Sequence, residues 1–314
     1  MKIFDLKKGK CIKNTDKPLC LLLGNFDGVH EGHASLVGVA LQEGKRQNVK
    51  VAVWTFAKHP LSLMGKDLKI LTDNEEKNRI FAEMGVDYVI YEDFSKVKNM
   101  CPLDFINDVL IGRFNCVSAV CGFNFKFGKN GSGNAELLCS ELEKTGRSAI
   151  VCPPVYRMEK VVSSTEIRTF IEEGMLEEAS IMLGRKYSIE QPVLHGNELG
   201  RTIGIPTINQ RFPENKIKPK RGIYAVKCNI GGKEYCGVAN VGSRPTVNND
   251  ESDVNCETHI IGYRGWIYGD TVKVSFYKRL RDEKRFDDIN ELKNAVEADI
   301  KQTMLYFESQ KTRK

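Results

Sequence analysis

The stretch Leu21-Leu22-Leu23-Gly24-Asn25-Phe26-Asp27-Gly28-Val29-His30-Glu31-Gly32-His33 constrains the fold of this chain most. An apolar strand runs into a glycine-broken loop, and two histidines three residues apart then open a helix. The first amide N–H groups of a helix have no partners inside it and point at whatever sits there, so this junction is an anion site. Glycines let backbone approach a phosphate closely. His30 and His33, at i and i+3, share one face of the first helical turn and can reach the same oxygens. The stretch reads as a loop that grips a phosphorylated ligand.

The rest of the first half repeats the alternation. Lys50 to Phe56, Val86 to Tyr91, Val117 to Cys121 and Ala149 to Cys152 read as strands. Ala34 to Gln47, Glu75 to Met84, Leu103 to Ile111 and Glu136 to Lys144 read as helices. Apolar strands alternating with helices predict a parallel sheet covered on both faces. Ligands bind such sheets beyond the carboxyl ends of the strands. Three loops fall there: Gly24 to His33, Gly122 to Gly133, and the segment after Val162. In Ser163-Ser164-Thr165-Glu166-Ile167-Arg168 the hydroxyls either cap a helix or form, with Arg168, a second phosphate wall. Gly122-Phe123-Asn124-Phe125-Lys126-Phe127-Gly128-Lys129 is either a loop with core aromatics or a seat for a planar, phosphorylated ligand. Neither Gly-x-Gly-x-x-Gly nor Gly-x-x-x-x-Gly-Lys-[Ser/Thr] occurs.

The pattern of Glu166 to Leu183 is helical, and Gly184 ends it. Beyond it the periodicity changes to that of short antiparallel strands: Gly222 to Cys228, Tyr235 to Val241, Asn255 to Ile261 and Thr271 to Tyr277, with turn signals at Gly231-Gly232 and Tyr268-Gly269-Asp270. Closely spaced antiparallel strands predict a small barrel. A closing helix carries Ile289, Leu292, Val296, Ile300, Met304 and Phe307 as a packing stripe. Two domains, 1–184 and 185–314, are expected from a chain of 314 residues. Within the second, Gly200-Arg201-Thr202-Ile203-Gly204-Ile205-Pro206-Thr207-Ile208-Asn209 is either a barrel corner or, because Thr207 and Asn209 project from one face of a strand, a pair of hard oxygen ligands suited to magnesium.

Composition narrows the class. With 41% apolar and 28% charged residues, and no apolar run near the roughly 20 residues that span a bilayer, the chain is expected to be soluble, without membrane association. Met1 to Lys7 lacks the apolar core of a signal peptide, which makes the cytoplasm the expected compartment. The ten cysteines are scattered without a Cys-x-x-Cys pair, so reduced, buried thiols are expected and zinc is not. A formal charge of +6 suits phosphorylated ligands as well as a soluble surface, and no nucleic-acid partner is expected.

Gly24 to His33 with Ser163 to Arg168 resembles the nucleotidyltransferase superfamily that carries His-x-Gly-His and Ser-Ser-Thr-x-Ile-Arg. Thr55-Phe56-Ala57-Lys58-His59-Pro60 and Cys121 to Gly128 narrow the resemblance to the FMN adenylyltransferase module of bacterial bifunctional riboflavin kinase/FAD synthetases. Gly200 to Asn209, Gly222-Ile223-Tyr224, Asn240 to Thr246, Cys256-Glu257-Thr258-His259-Ile260 and Leu280 to Phe286 are similar to riboflavin kinases. The departures are mild: Ala57-Lys58, Ala34, and the residues Cys256 and Thr258 that flank Glu257.

The resemblance implies a Rossmann-like nucleotidyltransferase domain followed by a riboflavin kinase barrel with a C-terminal helix. It implies phosphorylation of riboflavin to FMN by ATP, then adenylylation of FMN to FAD with release of pyrophosphate. The alternative is an FMN adenylyltransferase with an inactive kinase half. Glu257 is the implied kinase base, and His30, His33 and Arg168 the implied catalytic groups of adenylyl transfer. ATP and phosphate contacts are assigned to Gly24, Asn25, Phe26, Asp27, Gly28, Ser163, Ser164, Thr165, Gly204 and Pro206. Flavin contacts are assigned to Asn124, Arg281 and Phe286, and Mg2+ to Thr207 and Asn209. A monomer or weak homo-oligomer is expected.

Overall fold

The computed structural model describes residues 1–8, 17–65, 67–195, 204–243 and 254–311. The chain forms two compact units, Met1–Ser164 and Thr165–Lys314.

The first unit is built on a six-stranded, all-parallel sheet. Its strands are β1 (Lys2–Asp5), β2 (Leu19–Leu23), β3 (Lys50–Phe56), β4 (Tyr88–Glu92), β5 (Cys116–Gly122) and β6 (Ser148–Cys152). They lie in the order β1-β4-β3-β2-β5-β6. All five residues of β2 are buried. Leu19, Leu21 and Leu23 feed the core on one face, and Cys20 and Leu22 the core on the other. This is why the strand reads as a continuous apolar run and not as an alternation.

Helix α1 (Glu31–Gln47) and α2 (Asn74–Glu83) cover one face through Leu36, Val37, Ala40 and Phe81. Helix α3 (Phe105–Arg113) and α4 (Ala135–Glu143) cover the other through Phe105, Ile106, Val109, Leu110, Leu138 and Leu142. The sequence pattern predicts an ordinary helix over 103–111, but α3 is a π-helix. Phe105, Ile106, Val109 and Leu110 on this helix are all buried. From β2 the chain passes to β3 over one face, and from β5 to β6 over the other. The strand order therefore reverses between β2 and β5, which is where open α/β sheets hold ligands.

In the second unit, the single helix expected from 166 to 183 is two: α5 (Ser164–Glu173) and α6 (Leu176–Leu183). The break is at Gly174, whose φ of 81° is left-handed and whose missing side chain leaves room for Arg279. Six antiparallel strands follow: β7 (Ser188–Pro192), β8 (Thr207–Arg211), β9 (Gly222–Ile230), β10 (Lys233–Ser243), β11 (Val254–Ile260) and β12 (Thr271–Arg281). They lie in the order β7-β12-β9-β10-β11-β8.

The two edges of this sheet meet. Leu194 N–H donates to Asn209 O at 2.8 Å, and the buried Gln210 amide donates to Gln191 O at 2.6 Å and Val272 O at 2.7 Å. Closure in this way leaves almost no exposed strand edge. Tyr224, Val226, Cys228, Ala239, Val241, Cys256, Thr258, Val272, Val274 and Phe276 fill the interior. Helix α7 (Ile289–Lys311) packs outside β9 and β10. Its innermost residues are Asp299, Thr303 and Phe307, whereas Ile289 and Met304 of the expected stripe are exposed. Asp299 displaces the apolar pattern because its carboxylate receives the Arg281 guanidinium in a fork, at 2.9 and 2.7 Å.

Candidate active sites

In the first unit the site forms where β2 ends. Gly24 N–H still donates to Trp54 O, at 3.3 Å, and the chain then leaves the sheet. Phe26 and Val29 take left-handed φ of 53° and 36°, and Gly28 one of 85°. Such strain persists only where the surroundings fix it, and here they do. The Asp27 carboxylate accepts the Leu71 N–H at 2.9 and 3.2 Å and the Thr72 N–H at 3.3 Å. Gly28 N–H donates to Thr72 Oγ1 at 3.0 Å, and Ser164 Oγ donates to Asp27 O at 2.9 Å. Thr55 Oγ1 and the buried Lys77 Nζ both donate to Asn25 O, at 3.0 and 3.4 Å. Burial pulls the Lys77 pKa down, while Asp27 and Asp73 oppose that shift.

His30 caps α1. Its Nδ1 accepts the His33 N–H at 3.3 Å, so in the neutral ring the proton sits on Nε2. The two imidazoles stack at 3.6 Å between centroids, 15° from parallel. Gly32 makes this possible, since a Cβ there would stand 3.1 Å from His30 Cε1. The Phe26 ring is fully buried, edge-on to His33 at 5.0 Å and to Phe81 at 5.6 Å. It backs the histidine pair, and only its backbone can serve a ligand. The Asp27 carboxylate is likewise turned into the loop as an anchor. Asn25 is exposed, and Gly24 lies over the Phe26 ring. Asn124 is exposed in the loop after β5, at the same end of the sheet. Ser163 and Ser164 are half-buried. Thr165 is exposed and Arg168 half-buried on α5, at positions belonging to the second unit.

In the second unit β8 and β11 are paired, Asn209 opposite Glu257 and Thr207 opposite His259. Directly opposed residues share a face. Thr207 Oγ1 donates to Glu257 Oε1 at 2.7 Å, and His259 Nδ1 stands 2.8 Å from Pro206 O. Hydroxyl, amide and carboxylate are thus brought together, with Asn209 buried and Thr207 and Glu257 half-buried. Gly204 and Pro206 are exposed just ahead of them, whereas Gly200 to Ile203 of the same motif lies outside the described residues, as do Arg244 to Thr246.

Thr207 and Asn209 also line a cavity of about 380 Å³, whose other wall is Tyr263, Arg264, Trp266 and Tyr268. Trp266 lies edge-on to Tyr268, which stacks on His195 at 4.2 Å. The sequence reading missed this aromatic wall; its signal was the cluster Tyr263, Trp266 and Tyr268 in one turn-rich segment. Arg281 and Phe286 lie together, the guanidinium 5.9 Å from the ring centroid, but that guanidinium is already held by Asp299. Among the described residues no three His, Cys, Asp or Glu side chains gather as a metal site, and no helix is long and apolar enough to cross a membrane.

Comparison with known proteins agrees with this division. A family model described as FAD synthetase matches residues 12–166, and one described as riboflavin kinase matches 183–307. The chain is 34% identical over 301 residues to the bifunctional riboflavin kinase/FMN adenylyltransferase of Bacillus subtilis, covering 94% of this chain and 95% of that protein. It is 35% identical to the Escherichia coli K12 protein of the same name, over 89% of this chain and 90% of that one. A crystal structure from Streptococcus pneumoniae, described as a macrolide-efflux protein, superposes with a TM-score of 0.85 at 29% identity, covering 97% of this chain and 98% of that one. With both modules in order and the relatives matched over nearly their whole length, the chain belongs to the bifunctional riboflavin kinase/FMN adenylyltransferase family.

Proposed function

We propose that the two units divide the family's two reactions between them: the barrel phosphorylates riboflavin to FMN, and the parallel-sheet unit adenylylates FMN to FAD. The observation that carries this reading is the Thr207–Glu257 hydrogen bond beside Asn209, a carboxylate held in place next to two hard oxygen ligands. It argues against an adenylyltransferase with an inactive kinase half.

In the kinase step the terminal hydroxyl of riboflavin gives its proton to Glu257 as its oxygen bonds to the γ-phosphorus of ATP and ADP leaves. Thr207 occupies Oε1, which directs the proton to Oε2. The donor set of Thr207 and Asn209 fits magnesium, which when bound neutralises phosphate charge. The adjoining aromatic cavity suits the adenine of ATP, which stacks on such rings.

In the adenylyl step a phosphate oxygen of FMN attacks the α-phosphorus of ATP, and pyrophosphate leaves. That phosphate has a second pKa of about 6 and needs no base at neutral pH. Catalysis here is positioning and charge neutralisation by the Gly24 to Gly28 backbone, His30 Nε2–H, His33, Ser163 and Ser164, with Arg168 on α5 as the guanidinium. Asn124 is assigned to the flavin. The functional boundary is set at 184/185, where α6 has ended. Chromatography of flavins after incubation with riboflavin, ATP and magnesium tests the whole: FMN and FAD together support it, and the absence of either overturns it.

A further inference from the structure

One row of paired residues crosses the outer face of the barrel, with a register shift beside Ile223. Arg281 is paired with Ile223, Ile223 with Asn240, Asn240 with Glu257, and Glu257 with Asn209. With strands 4.7–4.9 Å apart, Arg281 lies about 14 Å from Glu257 on one side, and Asn209 one strand away on the other. Asn240 therefore stands between the reacting end of the row and the Arg281–Phe286 end. Its Oδ1 is shut off from solvent and has no hydrogen-bond partner among the described residues. Asn255, two residues before Glu257 on β11 and on the same face, is 7% exposed, and its Nδ2 is in the same condition. It stands opposite Gly242, where a Cβ would overlap the Glu283 carboxylate.

Buried polar atoms without partners are costly and call for an explanation. Here an acceptor and a donor are left over beside the base. A hydroxyl satisfies either one, because it both donates and accepts. If the substrate's terminal hydroxyl is at Glu257 and its ring lies toward Phe286, the chain between them passes over β10. We propose that Asn240 and Asn255 read the secondary hydroxyls of the substrate's polyol chain, Asn240 Oδ1 accepting from one and Asn255 Nδ2 donating to another. The pair makes the kinase selective for a hydroxylated chain and sets the terminal hydroxyl against Glu257; this rests on the reading of Glu257 as the base.

The test is steady-state phosphorylation by the full chain of riboflavin and its 2′-, 3′- and 4′-deoxy analogues, for the unmodified protein, Asn240→Ala and Asn255→Asp. The unmodified protein is expected to lose about tenfold in kcat/KM on at least one analogue, the effect of one hydrogen bond. Each variant is expected to lose a similar factor on riboflavin and little more on the analogue that lacks its hydroxyl. Equal rates on all four substrates by the unmodified protein overturn the proposal without needing a variant to fold. Losses that are the same on riboflavin and every analogue also overturn it, because a merely structural asparagine does not distinguish hydroxyls. Adenylylation of supplied FMN reports that the first unit is intact. Failure of the underlying reading is separate: Glu257→Gln would then still phosphorylate riboflavin.

Discussion

Asp27→Asn separates two roles for a residue at the heart of the first site. If the carboxylate is the anchor of the loop, the substitution acts on stability first. One oxygen is kept and can still accept from Leu71 and Thr72, at 2.9 and 3.3 Å. The other becomes an NH2 group facing the Leu71 N–H across 3.2 Å, donor against donor. The lost charge-assisted bond, made in a site 4% exposed, is worth about 2 kcal/mol. Against a urea slope of about 2 kcal/mol/M, the unfolding midpoint of the first unit should fall by about 1 M. Trp54 is buried in that unit and reports on it. FMN adenylylation should fall with the loosened loop while riboflavin phosphorylation stays unchanged. An unmoved midpoint with adenylylation abolished would refute the anchoring role and make Asp27 a direct ligand contact.

Other consequences follow from the packing. Arg46, by a forked hydrogen bond at 2.8 and 2.7 Å, and then Gln47 hold the Glu43 carboxyl down to about 2. A depressed folded-state pKa means stability that is present above the unfolded carboxyl's titration and lost as the pH falls toward 2. The stability advantage over Glu43→Gln should therefore shrink between about pH 6 and pH 3, and a constant difference in denaturant titrations would contradict it. Burial pushes the Cys20, Cys116, Cys121 and Cys256 thiols up to about 12, whereas Cys101 is exposed. Brief alkylation of the native protein followed by peptide mapping should label Cys101 and spare those four. Asp299→Ala should cost about 2–3 kcal/mol and raise the KM for riboflavin, since it releases the Arg281 guanidinium beside Phe286. An unchanged KM would detach Arg281 from the flavin.

Much of the fold was legible because local pattern and burial agree. Five buried residues in β2 and the amphipathic span of α1 announce themselves in Leu19 to Gln47. The features that were missed depend on distant partners. Edge strand β1 has an exposed Ile3 and, among the described residues, pairs only with β4, so nothing local marks it. The break at Gly174 depends on Arg279, more than a hundred residues away, and Asp299 inverts its helix pattern for the sake of Arg281. At the sites, the residue types pointed to phosphate chemistry, but their orientation was not legible. Asp27 and Phe26 lie in the loop after β2, but their side chains are held by Leu71 and Phe81, which come from other segments. Asn240 belongs to a stretch that the resemblance marks, but its place beside Glu257 shows only once the barrel sets the two opposite each other.

The division of labour between the two units is tested most directly by Glu257→Gln, which keeps an acceptor for the Thr207 hydroxyl but cannot take a proton. Flavin products are separated after incubation with ATP and magnesium, once from riboflavin and once from FMN. The expected result is no FMN or FAD from riboflavin, the general-base contribution of about 10²–10⁴ being lost, and an undiminished rate of FAD formation from FMN. Riboflavin phosphorylated at the parental rate, or FAD formation lost together with the kinase, would contradict two independent sites with Glu257 as the base of the kinase.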